Sequence, residues 1–575
     1  AAHLSVALAQ LVKRSQNLSG RIVNALIASL ELPKMTTDAR VATSYGTIFE
    51  ALSFKRQGDP AWCRRAFETI VVPWLQQLVE RQQYAPALAL EFMIYDEFVK
   101  QTETEDHFRF VYQAITPHLR NIGTALRANA APAPKHASPV NVPTLAFLFH
   151  AASTLAHVDA LRHMLNGYRQ LAHKPWKPAV YCLAGYNDTM ADWFDDLGID
   201  VQFLDNFSPT RSETMLGKLT WLKHHFYSEN IEGVVWLSAP VWMTTAFTMR
   251  IAEIQIWWAM KYHSLSIPDI DMYVSSLSFK RTQKKFGNLW HSGRLQVARQ
   301  PQTKSKNDVQ RIRAAYAGKV ILGSLGREEK LNSPPFLGAV STILRENPNA
   351  IYLWTGRKKL DAIHLYFDEH GVAKQTAFVG WVDTGIYSQV LDVFLDSFPF
   401  GCGFTAMQAM AAGVPVVLMA TPEDGTPNLD QLIWPLFDSD EVSTNDRAIA
   451  QEIFVDQVDG LLYQHALSDD DYVKRAQRLI SDEHYRRRVG ASYSEFARRM
   501  MSDPAESAAM RDPPNHPTAA SSWSSLCSSL FYVFFRHGAR VLESAVHDPA
   551  SSARPRKIRD FTVPSATPST SAISA

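Results

Sequence analysis

From Pro143 onward, short apolar runs alternate with segments whose apolar residues recur every three or four positions. The runs predict strands at Thr144–Phe149, Ala179–Leu183, Val201–Leu204 and Gly233–Leu237. The periodic segments between them predict helices at Val158–Leu171, Met190–Leu197 and Met215–Tyr227. A second series begins near Lys319, with strands Val320–Gly323, Ile351–Thr355 and Thr376–Val379 and helices Pro335–Glu346, Lys359–His370 and Gly385–Val390. Strands alternating with helices imply βαβ units and parallel sheets, here in two consecutive doubly wound halves with a cleft between them. Helices at Asp470–Ile480 and Asp482–Met500 close the fold.

The front of the chain reads differently. Residues 1–128 hold no convincing strand, and segments such as Ala61–Glu80 and Tyr84–Lys100 carry helical spacing, which predicts an all-α domain. No clean repeat of about 34 residues is present, so a TPR array is not expected. Asn129–Val142 has three prolines among small residues and is expected to be a linker. The expected segments are thus an all-α domain over 1–128, a linker over 129–142, α/β halves over 143–305 and 306–503, and a tail over 504–575. The tail drifts to Ser, Ala and Pro; Thr518–Ser525 and Pro549–Ala575 are expected to be disordered.

Composition narrows the partners. The 575 residues are 46% hydrophobic and 20% charged, with a net charge of +1, so no electrostatic footprint for nucleic acid exists. Cys63, Cys182, Cys402 and Cys527 lie far apart without zinc spacing, as expected of isolated thiols in a cytoplasmic protein. No signal peptide opens the sequence as given, although its first residue is Ala, which leaves room for an upstream start. No apolar run reaches about 18 residues, so no membrane span is expected.

The densest chemistry is at 391–419. It reads as strand (Leu391–Leu395), a turn containing Gly401 and Gly403, a short helix (about Thr405–Ala412), Gly413, then strand (Val414–Met419). A helix that starts directly after a glycine turn offers unpaired N–H groups and a positive dipole end, an anion site suited to a diphosphate. Gly401–Ala406 also fits GxGxxA, with Glu423 about twenty residues beyond, but the unit closes the α/β series where a dinucleotide fingerprint would open it. Two halves with the tighter nucleotide signal in the second suit a GT-B glycosyltransferase fold. No DxD stands at a strand end to hold a metal; Asp469–Asp471 opens a late helix, where acids favour the dipole. The paired glutamates of the retaining pattern are absent, their positions holding Phe400 and Gln408, which disfavours that mechanism.

Four stretches, in order and spacing, resemble glycosyltransferase family 41, which contains the O-GlcNAc transferases and the adhesin-modifying cytoplasmic N-glycosyltransferases of bacteria. They are Leu148–Leu165, Ile251–Val274, Gly323–Leu331 and Leu395–Val417. The resemblance spans about 143–503, and the helical front without TPRs favours the N-glycosyltransferase branch. It implies that Lys330 binds the diphosphate, with Arg327 as a second contact, and that His157 is the active-site histidine of the first βα loop. Gly403, Phe404 and Thr405 would hold the diphosphate, and Gln408 stands where the family commonly has an acid for the ribose. Val379, Gly380 and Trp381 end a strand at the expected uracil pocket, and Gln255 and His263 would line the sugar and acceptor cleft.

The resulting expectation is an inverting, metal-independent enzyme with no resident cofactor. It would move a hexose or N-acetylhexosamine from a UDP-sugar to a protein acceptor such as an adhesin, at Asn in Asn-x-Ser/Thr or, second, at Ser or Thr. Two alternatives stay open: transfer to a surface polysaccharide or lipid-linked glycan, and a scaffold that has lost donor binding, with Gln408 as its trace.

Overall fold

The computed structural model describes residues between Arg64 and Met501 apart from short internal stretches, the longest being 129–141 and 293–305. The linker, the boundary at 305–306 and the tail therefore fall wholly or mainly outside the described residues. All of those described belong to one compact unit, Ala1–Ser528.

Two sheets organise the chain. The first contains β1 (Thr144–Phe149), β2 (Lys177–Cys182), β3 (Val201–Phe203), β4 (Ile231–Leu237), β5 (Ile254–Ala259), β6 (Met272–Ser275), β7 (Thr282–Lys285) and β8 (Asn288–Ser292). Their order is β3-β2-β1-β4-β5-β6-β8-β7, parallel throughout except for the β7–β8 hairpin. The second contains β9 (Val320–Ser324), β10 (Ala350–Thr355), β11 (Thr376–Gly380), β12 (Val393–Leu395) and β13 (Val416–Met419). A small antiparallel pair, β14 (Val455–Asp456) and β15 (Gly460–Leu461), lies apart, and β16 (His465–Ala466) completes the second sheet in the order β11-β10-β9-β12-β13-β16. Each sheet thus has the doubly wound order 3-2-1-4-5-6, which places the ligand crevice beyond the carboxyl ends of its central strands. This is the GT-B type of architecture.

The central strands are apolar on both faces because helices cover both: β4 and β5 are buried almost end to end. Gly323 in β9 has a separate reason for lacking a side chain. A Cβ there would stand 2.6 Å from Leu391 Cδ2 and 3.0 Å from the Leu353 carbonyl. The sequence pattern places the strands of the first series and of the second to within a few residues. It missed β5 to β8, because these strands follow one another without the intervening helices that mark a βαβ unit, and β14 to β16, which are two residues each.

In front of the sheets stand helices Val72–Glu80, Tyr84–Ile94 and Glu105–Ala128, with wider turns at Phe67–Val71 and Tyr95–Val99. They share one core with the first sheet rather than forming a separate one. Helix Glu105–Ala128 crosses helix Met243–Thr248 at Gly123, where a Cβ would meet Thr248 Cβ at 2.6 Å and the Thr245 carbonyl at 2.7 Å. Trp242 fixes the other contact. Its indole N–H donates to the Leu88 carbonyl (2.9 Å), its backbone N–H donates to Glu91 Oε1 (2.6 Å), and its ring stacks on Phe92.

Glu91 is buried, and burial lifts its carboxyl from 4.5 to about 8 against the pull of the Trp242 N–H. A carboxyl raised on folding contributes stability below about pH 4.5 that is lost as pH climbs toward 8. Glu91→Gln keeps the acceptor oxygen and cannot ionise. Its melting temperature relative to the parent is expected to rise between pH 5 and pH 8.5, by an amount on the order of a few kcal/mol in stability. A difference that stays flat across that range in thermal scans would show that Glu91 does not ionise in place.

The second sheet has its own core, joined to the first lobe through Ala160 and Phe279. Phe279 meets the ring of Phe496 at 6.0 Å, so the closing helix Glu483–Phe496 touches both lobes. No described helix is long and apolar enough to cross a membrane.

Candidate functional site

Two turns at the carboxyl edge of the second sheet interlock to form the floor of the site. The turn after β9 carries Arg327 and Lys330; the turn after β12 carries Asp396 to Gly403. Ser324 Oγ donates to the Leu395 carbonyl (2.5 Å), and Thr405 Oγ donates to the Leu325 carbonyl. Gly326 fits against Cys402, whose Sγ a Cβ would meet at 3.0 Å. Asp396 is buried, and its Oδ1 accepts the Cys402 N–H at 2.6 Å. Burial lifts this carboxyl to about 7, opposed by the Cys402 N–H and by the nearby Lys330 charge. Sequence reasoning passed over Asp396 because an acid at a strand end has no signature without its partner.

Lys330 points at this turn: its ammonium donates to the Gly401 carbonyl at 2.6 Å. Burial lowers its pKa from the ordinary lysine value, with Arg327 adding to the effect and Cys402 and Asp396 opposing it. The helix beyond the turn runs Phe404–Ala411. Its N-cap is Gly403, at φ 58°, where a side chain would be strained although space is open, and no side chain caps the helix. The first N–H groups of the helix therefore remain available to an anion. Thr405 was expected to open the helix and offer its hydroxyl; instead Gly403 opens it, and the Thr405 hydroxyl is committed to the Leu325 carbonyl. Gln408 lies one turn along, and its buried Oε1 has no hydrogen-bond partner.

Lys261, just after β5, reaches the same turn from the first lobe. Its ammonium sits 5.6 Å from the Phe400 ring centroid. Burial lowers its pKa to about 8; Glu105 opposes this, and Lys330 and Arg327 add to it. Glu105 does not neutralise it by contact, because one Glu105 oxygen faces His263 Nδ1 at 3.1 Å and the other accepts the Ser264 N–H at 2.5 Å. Among the described residues, neither Lys261 nor Arg327 has a side-chain ion pair or hydrogen bond. Two half-buried cations thus meet at one turn, with half-buried Arg327 close enough to act on both, and none of the three is paired with a carboxylate. Half-buried cations without counter-ions are costly, and an anion bound between them removes the cost.

A second group of polar side chains comes from the first lobe and the helical front. His157, at the start of helix Ala156–Arg169, is 7% exposed, and its Nε2 has no hydrogen-bond partner. Burial, with a smaller contribution from His150, pulls its pKa to about 3, so the imidazole is neutral. His150 stacks with His157 at 6.4 Å and meets Tyr95 edge-on at 5.8 Å. Tyr95 belongs to the helical front, and its hydroxyl is pushed up to about 12 by burial, against the pull of Arg327. The helical front thus packs against His150 through Tyr95, a contact that its helical spacing alone does not signal.

Gln255 and His263 were expected to line the cleft, and the structure corrects both. Gln255 is 0% exposed; its amide donates to the Phe247 and Asp269 carbonyls (2.8 and 2.9 Å) and accepts the Ile251 N–H (3.0 Å). Its hydrogen bonding is spent on holding the entry to β5. His263 is bound by Glu105 and sandwiched between Phe108 and Trp257, so it ties the helical front to the first sheet.

Gly380 ends β11 at the rim of the second sheet, and Trp381 follows it. Gly380 takes φ 77°, and Trp381 is 57% exposed with the Arg357 guanidinium 5.2 Å from its ring centroid. A flat, open aromatic of this kind can stack a nucleobase. Among the described residues no group of three or more His, Cys, Asp or Glu is placed to hold a metal ion.

No family model and no curated protein matches the sequence. Among solved structures, the chain is similar to a mutant O-GlcNAc transferase from Thermobaculum terrenum, with 13% identity and a TM-score of 0.49 over 92% of this chain and 97% of that one. It is also similar to Anabaena HepE in complex with UDP and glucose, with 10% identity and a TM-score of 0.45 over 64% of this chain and 98% of that one. A glycosyltransferase from Rickettsia africae gives 11% identity and a TM-score of 0.45 over 63% and 94%.

Proposed function

We propose that the cleft binds a UDP-sugar and that the protein is a glycosyltransferase. The observation that carries this reading is that Lys330 and Lys261 reach the turn before an uncapped helix N-terminus, with Arg327 near enough to act on both charges and no carboxylate paired to any of the three. A diphosphate supplies the missing negative charge, and its oxygens take the free N–H groups of Phe404 and Thr405. The chain's own cations and amides can steady the leaving diphosphate without a metal. The orphaned Gln408 Oε1 accepts from a ribose hydroxyl, a neutral contact in place of the family's usual charged one, and Trp381 stacks the base.

The Nε2 of His157, buried without a hydrogen-bond partner, supports assigning this residue to the acceptor side, where it accepts a hydrogen bond from the attacking group. At a pKa of about 3 it is a weak base; the charge of a bound diphosphate raises its basicity. Direct attack from the first lobe on a sugar held by the second inverts the anomeric centre. The acceptor we favour is a protein side chain, Asn in Asn-x-Ser/Thr first, following the resemblance to the bacterial N-glycosyltransferases. A cytoplasmic location goes with that reading.

Titration with UDP by calorimetry tests the donor site. Binding in the micromolar to low millimolar range is expected, and no heat at millimolar UDP would remove the reading. A screen of UDP-sugars for hydrolysis then identifies the donor. Intact-protein mass of a cytosolic extract incubated with that donor separates a protein acceptor from a glycan one.

A further inference from the structure

Resting on the donor site proposed above, we infer that Lys261 is the cation that meets the charge developing on the β-phosphate as the sugar departs. A nucleoside diphosphate ester of a sugar carries two negative charges, and the nucleoside diphosphate it releases carries three. The site holds three cations. Two of them, Lys330 and Arg327, belong to the second lobe; Lys330 already spends one N–H on the Gly401 carbonyl. The third, Lys261, comes from the other lobe and has no polar partner among the described residues, only the face of Phe400 beside that same turn. A ring face is a weak substitute for an anion, so the ammonium retains all three donors for an oxygen.

The step balances as follows. The bond between the anomeric carbon and the bridging β-phosphate oxygen breaks, and its electron pair stays on that oxygen. The acceptor lone pair forms the new bond to the carbon, and the acceptor proton leaves to solvent by way of His157. The diphosphate gains one negative charge at the oxygen that Lys261 faces.

Lys261 is surrounded by Glu105, His263, Lys330 and Arg327. Burial and the two like charges outweigh Glu105 and hold its pKa near 8, so it is charged at neutral pH. Interactions that strengthen as charge develops raise turnover more than ground-state binding. Lys261 is therefore expected to matter more to UDP than to the intact sugar nucleotide.

The experiment compares the full chain with Lys261→Met and Lys261→Arg. Binding is read by calorimetry with UDP and with UDP-glucose, and turnover with whichever UDP-sugar the screen shows to be hydrolysed. Lys261→Met should weaken UDP binding at least about 10-fold, weaken UDP-glucose binding less than about 3-fold, and lower kcat about 30- to 100-fold, with Lys261→Arg recovering much of the loss. Equal weakening of both ligands, or kcat within about 2-fold of the parent, would overturn the assignment while leaving the donor site standing. If the parent chain itself binds no UDP, the donor reading fails and this inference fails with it. An unchanged melting temperature shows that the effects are not those of misfolding.

Discussion

Lys330→Ala is expected to lower turnover on a UDP-sugar by about 100- to 1,000-fold, the size of effect seen when one preorganised donor to a developing negative charge is removed. The side chain has two tasks at once. It holds the Gly401 carbonyl at 2.6 Å, which fixes the turn before the uncapped helix, and in the donor site proposed above its remaining N–H groups meet the diphosphate. Because burial already lowers its pKa, its charge is poorly solvated and interacts strongly with any anion placed beside it. Asp396 would lose the nearby Lys330 charge but keeps the Cys402 N–H at 2.6 Å and can take up a proton, so the fold should survive with its melting temperature within a few degrees. Lys330→Arg should rescue little, because a planar fork does not fit where a compact ammonium meets a carbonyl. Steady-state kinetics beside a thermal scan check both halves; normal turnover in Lys330→Ala would remove Lys330 from the site.

Gly490→Ala is expected to have the largest effect on stability, and in the direction opposite to helix propensity. In a free helix this change gains about 1 kcal/mol. Here a Cβ at Gly490 would stand 2.2 Å from the Gly413 carbonyl oxygen, backbone that cannot rotate away. Helix Glu483–Phe496 would have to lift off the end of helix Phe404–Ala411, at a cost of roughly 3 kcal/mol or more. The lifted helix also carries Phe496, which touches Phe279 of the first lobe, so weaker UDP binding should accompany the lower melting temperature. Differential scanning calorimetry with and without UDP measures both. A variant as stable as the parent would show that the two glycines do not meet.

The turn and the lysine of the proposed donor site were more legible in the sequence than the groups proposed for the acceptor side. Lys330 and the turn at Gly401–Gly403 lie directly after buried strands, and parallel strands announce their ends through apolar runs cut off by glycine. Doubly wound topology then places those ends on one edge, so residues 71 apart in sequence meet, as Lys330 and Gly401 do. His157 likewise follows the first strand and packs beside Phe149 and His150. Gln255 and His263 misled because a polar residue among aromatics reads equally well as cleft lining or as a buried strut. Only the partners decide, and for His263 the partner is Glu105, 158 residues away.

By itself the sequence determined the two α/β halves, the glycine turn and the lysine of the short helix after β9, because each follows from burial and backbone conformation within a few neighbouring residues. The tertiary structure alone decided which charges go unpaired. Lys261 is one lysine among many until Glu105 is seen turned toward His263 and Ser264, and Tyr95 is one more aromatic on a helix until it meets His150. Charge compensation depends on distances between elements far apart in the chain, and no local pattern of residues encodes those distances.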